Sequence, residues 1–134
     1  MLLDLSSLKK AVDSLDRAIK VAVGNKNSVQ EEVIRAGVIQ NFEFTYELCW
    51  KFIKRWLELN ATGAAVDGST RKELFRLAAE SRLITNIENW FKYHARNETV
   101  HTYDPAKAVE IYALAAPFAA DARKLLQVLE QRND

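Results

Sequence analysis

One long stretch, from about residue 28 to residue 60, contains no proline and no glycine-rich turn. Ser28 and Glu31 have the spacing of a capping box, so we expect a helix of about 30 residues, about 45 Å long. Its main apolar stripe alternates spacings of three and four: Ile39, Phe42, Tyr46, Cys49, Ile53 and Trp56. A second stripe flanks it: Phe44, Leu48 and Phe52. A helix with so much apolar circumference must pack on more than one neighbour, and a second copy of the chain could be one of them.

The rest of the chain predicts four further helices. Apolar periodicity and helix-end signals place them at about 5–22, from Ser69 or Thr70 to about Ser81, from about Asn86 into the 96–103 segment, and from Pro105 to about Gln131. Only four glycines and two prolines occur, which favours a mostly helical chain. We therefore expect one all-α domain over residues 1–134, an up-and-down four-helix bundle with an additional short helix.

Net charge, cysteine content and hydrophobic patterning limit the classes of protein to which the chain could belong. The formal net charge of +1 gives no support to a strongly basic nucleic-acid binder, although a local patch can hide in a neutral total. The lone Cys49 sits in an apolar helical stripe and is expected in the core rather than as a reactive thiol. No apolar run approaches the roughly 18 residues of a membrane span, and the N-terminus lacks the pattern of an export signal. We expect a cytoplasmic protein.

Residues 96–105 read Arg-Asn-Glu-Thr-Val-His-Thr-Tyr-Asp-Pro and mark a break between two helices. Asp104 is suited to cap the next helix, and Pro105 to its first position. Arg96 can grip a phosphate, and His101 can exchange protons near neutral pH, which suggests a site for cutting or holding nucleic acid.

Arg96 and His101 would be about 140° apart on a continuous helix. They reach one phosphate if the helix frays or if two subunits combine. The alternative is that Arg96 pairs with a nearby carboxylate while His101 ends the helix.

Three other groups of residues could form a site. His94, Asn97 and His101 share a helical face, but ligands seven residues apart lie about 10 Å apart, which argues against a metal site. Glu43 and Glu47, one turn apart, could bind a cation or act in acid–base chemistry, or could be a solvated face that pairs with lysines such as Lys51. The three tryptophans fit the core or a dimer interface better than base stacking: Trp50, Trp56 and Trp90.

The segment 96–103 resembles the Arg-x4-His-x-Tyr signature of HEPN-domain proteins, small helical bundles found with minimal nucleotidyltransferases. Residues 38–51, Val-Ile-Gln-Asn-Phe-Glu-Phe-Thr-Tyr-Glu-Leu-Cys-Trp-Lys, and the Glu-Asn-Trp at 88–90 resemble the subgroup of nucleotidyltransferase substrate-binding proteins. The resemblance covers nearly the whole chain. It implies a bundle that dimerises, with the motifs of two protomers facing each other across a shared cleft.

The resemblance also implies a function. Many HEPN proteins are toxins that cut RNA without a metal or other cofactor. Arg96 would then bind and polarise the phosphate, His101 would act as general acid or base for attack by a ribose 2′-OH, and Asn97 would orient the site. Glu43 and Glu47 are candidate contributors from the second helix. A minimal nucleotidyltransferase antitoxin encoded nearby would silence the toxin by adding AMP to Tyr103.

The implied partners are a second copy of the chain, the nucleotidyltransferase and an RNA substrate, with neither DNA nor membrane expected. One alternative is a non-catalytic subunit that binds substrate or nucleotide for a two-component nucleotidyltransferase. Another is a helical dimerisation module without a site.

Overall fold

The computed structural model describes residues 2–60, 66–99 and 105–133 of the chain. Five α-helices occur in these ranges: α1 Ser6–Gly24, α2 Glu31–Asn60, α3 Arg71–Glu80, α4 Ile87–Thr99 and α5 Pro105–Gln131. No β-strand is found in the described ranges. The predicted all-α fold with four principal helices and one short helix is confirmed. None of the helices described is long and apolar enough to cross a membrane.

The long helix α2 lies at the centre of the bundle and packs against all four other helices. On one side, α1 packs against α2 and α5, while on the other, α3 packs against α2 and α4. The five helices share one hydrophobic core. Cys49 of α2 is fully buried in it, as its position in the apolar stripe predicted.

An aromatic cluster joins four of the helices. Its members are Phe42 and Tyr46 of α2, Phe75 of α3, Trp90 and Tyr93 of α4, and Phe118 of α5. The ring centroid of Phe118 lies 4.8 Å from that of Phe42 and 5.0 Å from that of Tyr93, in both cases edge to face. Such pairs add attraction beyond the area that they bury. The cluster therefore fixes α4, the helix that leads to the 96–103 segment, against α2 and α5.

Among the described residues, the helix ends agree with the sequence signals except at the start of α2, and the predicted cap Asp104 lies outside these residues. Helix α1 ends at Gly24, and the Thr70 hydroxyl accepts a hydrogen bond from the Glu73 N–H at 3.2 Å, so Thr70 rather than Ser69 caps α3. The predicted capping box between Ser28 and Glu31 is wrong. Because α2 begins at Glu31 itself, the Ser28 hydroxyl accepts from the Gln30 N–H at 3.3 Å, and the Glu31 carboxylate accepts from the Asn27 N–H.

Two ion pairs link α1 to α5. The Arg123 guanidinium of α5 donates to Asp13 at 2.8 Å and to Asp16 at 2.6 Å, both on α1. The hydrogen bond from Arg123 lowers the pKa of the Asp13 carboxyl below its usual value of 3.8. Arg123 therefore ties α5 to α1 on the outer side of the bundle.

Candidate functional site

Arg96 lies in the last turn of α4, where its guanidinium is 3.4 Å from the Glu110 carboxylate of α5. The alternative role of Arg96, an ion pair with a nearby carboxylate, is therefore present. Both side chains are about half exposed, and a pair of this kind contributes only about 0–1 kcal/mol. The ion pair with Glu110 would therefore compete only weakly with a phosphate. His101 and Tyr103 lie outside the described residues.

The side chain of Asn97, the residue after Arg96, faces α2 rather than α5. Its side chain is only 6% exposed and lines an open groove of about 470 Å³ beside α2. The predicted contributors Glu43 and Glu47 line the same groove, together with Lys51. The remaining lining residues are Gln40, Phe44 and Leu48. The structure thus brings Asn97 together with the two α2 carboxylates, while Arg96 pairs with α5.

Glu47 is held by an aromatic neighbour rather than by a lysine. The indole N–H of Trp50 donates to the Glu47 carboxylate at 2.9 Å. In the ranges that the structure describes, the ion pair suggested between Glu47 and Lys51 does not form. The hydrogen bond orients the Glu47 carboxylate at the groove and leaves the Lys51 ammonium on the same wall.

The tryptophans fall into two classes. Trp90 is in the core, as predicted, with 1% of its surface exposed. Trp50 and Trp56 are only partly buried, and each has an arginine over its ring: Arg71 lies 3.6 Å from the centroid of Trp50, and Arg132 lies 5.8 Å from that of Trp56. The predicted core position is therefore confirmed for Trp90, whereas for Trp50 and Trp56, which lie at the edge of the core, the dimer-interface alternative stays a prediction.

His94 is used structurally. Its Nδ1 atom lies 2.8 Å from the hydroxyl oxygen of Tyr46, which is fully buried on α2. Within the described ranges, no group of three or more His, Cys, Asp or Glu side chains is placed to hold a metal ion. Sequence inspection missed both this hydrogen bond and the role of Glu110, because neither lies in a recognisable motif.

Residues 3–131 match the family model described as nucleotidyltransferase substrate binding protein like. The chain belongs to this family. The subgroup predicted from the 38–51 and 96–103 segments is thereby confirmed.

Two known proteins are similar to this chain over almost its full length. The chain is 36% identical over 139 residues to the probable ribonuclease HepT of Haemophilus influenzae, a match that covers 98% of this chain and 94% of the relative. It also resembles a solved structure of a Haemophilus influenzae protein, which is described as revealing the fold of a substrate binding domain of a nucleotidyltransferase. The TM-score is 0.87 and the identity 32%, with 96% of this chain and 100% of the other covered.

A second solved structure, of a protein from Thermus thermophilus, has a fold similar to that of the present chain. The TM-score is 0.74 with 25% identity, and the match covers 91% of this chain and 98% of the other.

Proposed function

We propose that this protein is a metal-independent endoribonuclease, the toxin of a pair whose antitoxin is a minimal nucleotidyltransferase. The observation that carries the proposal is the 36% identity, over nearly the whole chain, to the probable ribonuclease HepT. The complete Arg-x4-His-x-Tyr motif at residues 96–103 supports the same activity. We also propose that the protein acts in the cytoplasm and needs no cofactor.

The chemistry follows from the residue types of the motif. A ribose 2′-oxygen forms a bond to phosphorus and loses its proton, while the bond from phosphorus to the 5′-oxygen breaks and that oxygen gains a proton. His101 acts as general acid or base in this exchange, and Arg96 stabilises the negative charge that develops on the phosphoryl oxygens. The products are a 2′,3′-cyclic phosphate and a 5′-hydroxyl end.

The supporting residues belong to the groove beside α2. Asn97 is buried there, and its amide would orient the site from within the groove. Glu43 and Glu47 line the same groove and are candidate contributors from α2 to acid–base chemistry there. We assign Asn97 a positioning role and the two glutamates a contributing one.

A homodimer would complete the site. Phe44, on the rim of the groove, is 59% exposed, and a second copy of the chain would cover it. Two protomers that place their 96–103 segments across one cleft would remove the constraint of the 140° separation, because Arg96 and His101 could then come from different chains.

The antitoxin would inactivate the ribonuclease by adding AMP to Tyr103. The phenol oxygen attacks the α-phosphorus of ATP, AMP becomes bonded to the tyrosine, and pyrophosphate leaves. The added phosphate would sit beside Arg96 and His101, where its negative charge repels the RNA backbone.

The test is RNA cleavage by full-length protein whose mass equals that of the unmodified chain. Wild type, His101→Ala and Lys92→Ala are compared on total RNA and on tRNA in the presence of EDTA. We expect wild type and Lys92→Ala, an exposed α4 residue, to cleave, and His101→Ala to be at least about 100-fold slower. Absence of cleavage by unmodified wild type would overturn the proposal.

A second function is favoured by the family description, nucleotidyltransferase substrate binding protein like. In this case the chain is a non-catalytic subunit that binds substrate or nucleotide for the nucleotidyltransferase. The expected results are a stable complex, no RNA cleavage, and ATP affinity that is lost in Arg96→Ala. A nucleotidyltransferase that is fully active alone would remove the basis for this function.

A further inference from the structure

Five cationic side chains and two aromatic rings lie together where α2, α3 and α4 meet. The cations are Lys51 and Lys54 of α2 and Arg71, Lys72 and Arg76 of α3, and the rings are Trp50 and Phe91. We call this set of seven residues the basic face. All seven are exposed or partly exposed, so that a ligand could reach both the charges and the rings.

The cations are arranged around the two rings. At Trp50, the Arg71 guanidinium lies 3.6 Å and the Lys51 ammonium 5.8 Å from the ring centroid. At Phe91, the Lys72 ammonium lies at 5.9 Å and the Arg76 guanidinium at 5.7 Å. The negative face of an aromatic ring attracts a cation, so the rings hold these charges close to the surface rather than letting them extend into solvent.

The five cations of the basic face outnumber the carboxylates beside them, Glu47 against Trp50 and Glu73 on α3. The ion pairs of the described ranges engage Arg35, Arg96 and Arg123, and none of the five cations of the basic face forms one. Glu73, an exposed carboxylate on the same helix, is likewise not ion-paired with them in the part of the chain that the structure describes. A local positive charge therefore exists in a chain whose net charge is only +1.

The basic face continues into the candidate site. Lys51 lines the groove that also contains Asn97, and its ammonium approaches the Trp50 ring. Beyond it, Trp50, Lys54 and Arg71 line a second cavity of about 240 Å³ at the start of α3. A ligand could thus follow one path from Asn97 through Lys51 to Trp50.

We propose that the basic face binds single-stranded RNA next to the site of cleavage, an inference that rests on the proposed function. Clustered cations match a phosphate backbone, and partly exposed rings beside them offer platforms on which bases stack. The pattern fits RNA better than an acidic protein, because stacking platforms have no role in binding carboxylates.

The test measures binding without cleavage. Full-length His101→Ala protein is titrated into a fluorescein-labelled single-stranded RNA oligonucleotide of mixed sequence, and affinity is followed by fluorescence anisotropy over a range of salt concentrations. Adding Lys72→Gln and Arg76→Gln should weaken binding at least about tenfold. The slope of log affinity against log salt should fall by about 1.4, because each phosphate contact on a single strand contributes about 0.7.

The matched control is Lys9→Gln with Lys10→Gln. Both lysines are exposed on α1, which packs against α2 and α5 and away from α3, and the change in net charge is the same. The control should bind as the parent does. A second variant, Lys54→Gln with Arg71→Gln, tests the Trp50 end of the face and should weaken binding to a similar degree.

Equal affinity of the basic-face variants and the control would overturn the inference, and cleavage by wild type would then still support the proposed function. RNA binding through the basic face, with no cleavage by unmodified wild type, would support this surface and overturn the proposed function instead. Variants that keep their RNA affinity but no longer co-purify with the nucleotidyltransferase would assign the face to that protein and refute the inference.

Discussion

The hydroxyl oxygen of Tyr46 lies 2.8 Å from Nδ1 of His94, so that a hydrogen bond joins the middle of α2 to α4 two residues before Arg96. The two rings are also stacked, with centroids 6.3 Å apart and planes inclined by 28°. Tyr46 is fully buried and His94 partly buried, so this polar contact is only partly accessible to water. It holds α4 in place immediately before the segment that carries the motif.

We predict that Tyr46→Phe lowers the free energy of unfolding by about 1 kcal/mol, the usual contribution of one hydrogen bond. It should also slow RNA cleavage, because α4 loses a tie close to Arg96. Urea unfolding followed by circular dichroism measures the first effect. The control is Tyr112→Phe, a partly buried tyrosine of α5, which should unfold as wild type does. Equal stability of the two variants would contradict the prediction.

Removing the partner of Arg96 should improve substrate binding. Glu110 competes with phosphate for the Arg96 guanidinium, so Glu110→Gln is expected to lower KM for RNA by up to about fivefold, the equivalent of an exposed ion pair. Initial rates of cleavage over a range of RNA concentrations give KM. Glu88→Gln, an exposed position in the first turn of α4, is the control. A rise in KM for Glu110→Gln would mean that the ion pair positions Arg96 instead of competing with RNA.

Acid should weaken the link between α1 and α5. Because Arg123 lowers the pKa of Asp13, the stabilisation from this group is fully present above the usual value of 3.8 and is lost as the pH falls through the lowered pKa. Asp13→Asn should therefore be less stable than wild type above pH 3.8, and its melting temperature should depend less on pH below that value. Thermal melts over this range provide the measurement, with Asp67→Asn in an exposed turn as the control. Parallel pH profiles for Asp13→Asn and wild type would refute the prediction.

Cys49 should be inert in the folded protein. Its side chain is fully buried, and burial raises the pKa of the thiol, so both access and thiolate formation are suppressed. A maleimide should label native protein very slowly and label it rapidly in urea. Val29→Cys, placed at a fully exposed position, supplies the reactive control. Rapid labelling of Cys49 without denaturant would show that the core around α2 opens readily.

Apolar periodicity was sufficient to predict the helices, because the alternation of three and four directly specifies the face that a helix buries. The stripe through Phe42, Tyr46 and Cys49 is buried as predicted. The same pattern could not identify the partners of polar groups. Whether Ser28 caps α2 depends on the residue at which the first turn of the helix begins. The hydrogen bond from Trp50 to Glu47 depends on a side-chain rotamer.

The candidate site illustrates the same limit. Adjacent residues on a helix point about 100° apart, so Arg96 and Asn97 had to face different neighbours. Which neighbours they face is decided by the packing of α4 between α2 and α5, and a single sequence does not contain that information. The motif predicted the chemistry of Arg96, whereas Glu110 could be found only in three dimensions.

The central helix has one more property that its net charge conceals. Glu31 and Glu32 lie in the first turn of α2 and Glu43 and Glu47 near its middle, while Lys51, Lys54 and Arg55 follow toward its end. Glu31 and Glu32 lie at the positive end of the peptide macrodipole and so stabilise the start of the helix. The separation of charge also gives α2 an electric moment along its own axis, which Arg35 and Glu58 reduce in part. A polyanion within the screening length, about 8 Å in physiological salt, is therefore repelled by the acidic first half of α2 and attracted by the part that carries Lys51 and Lys54.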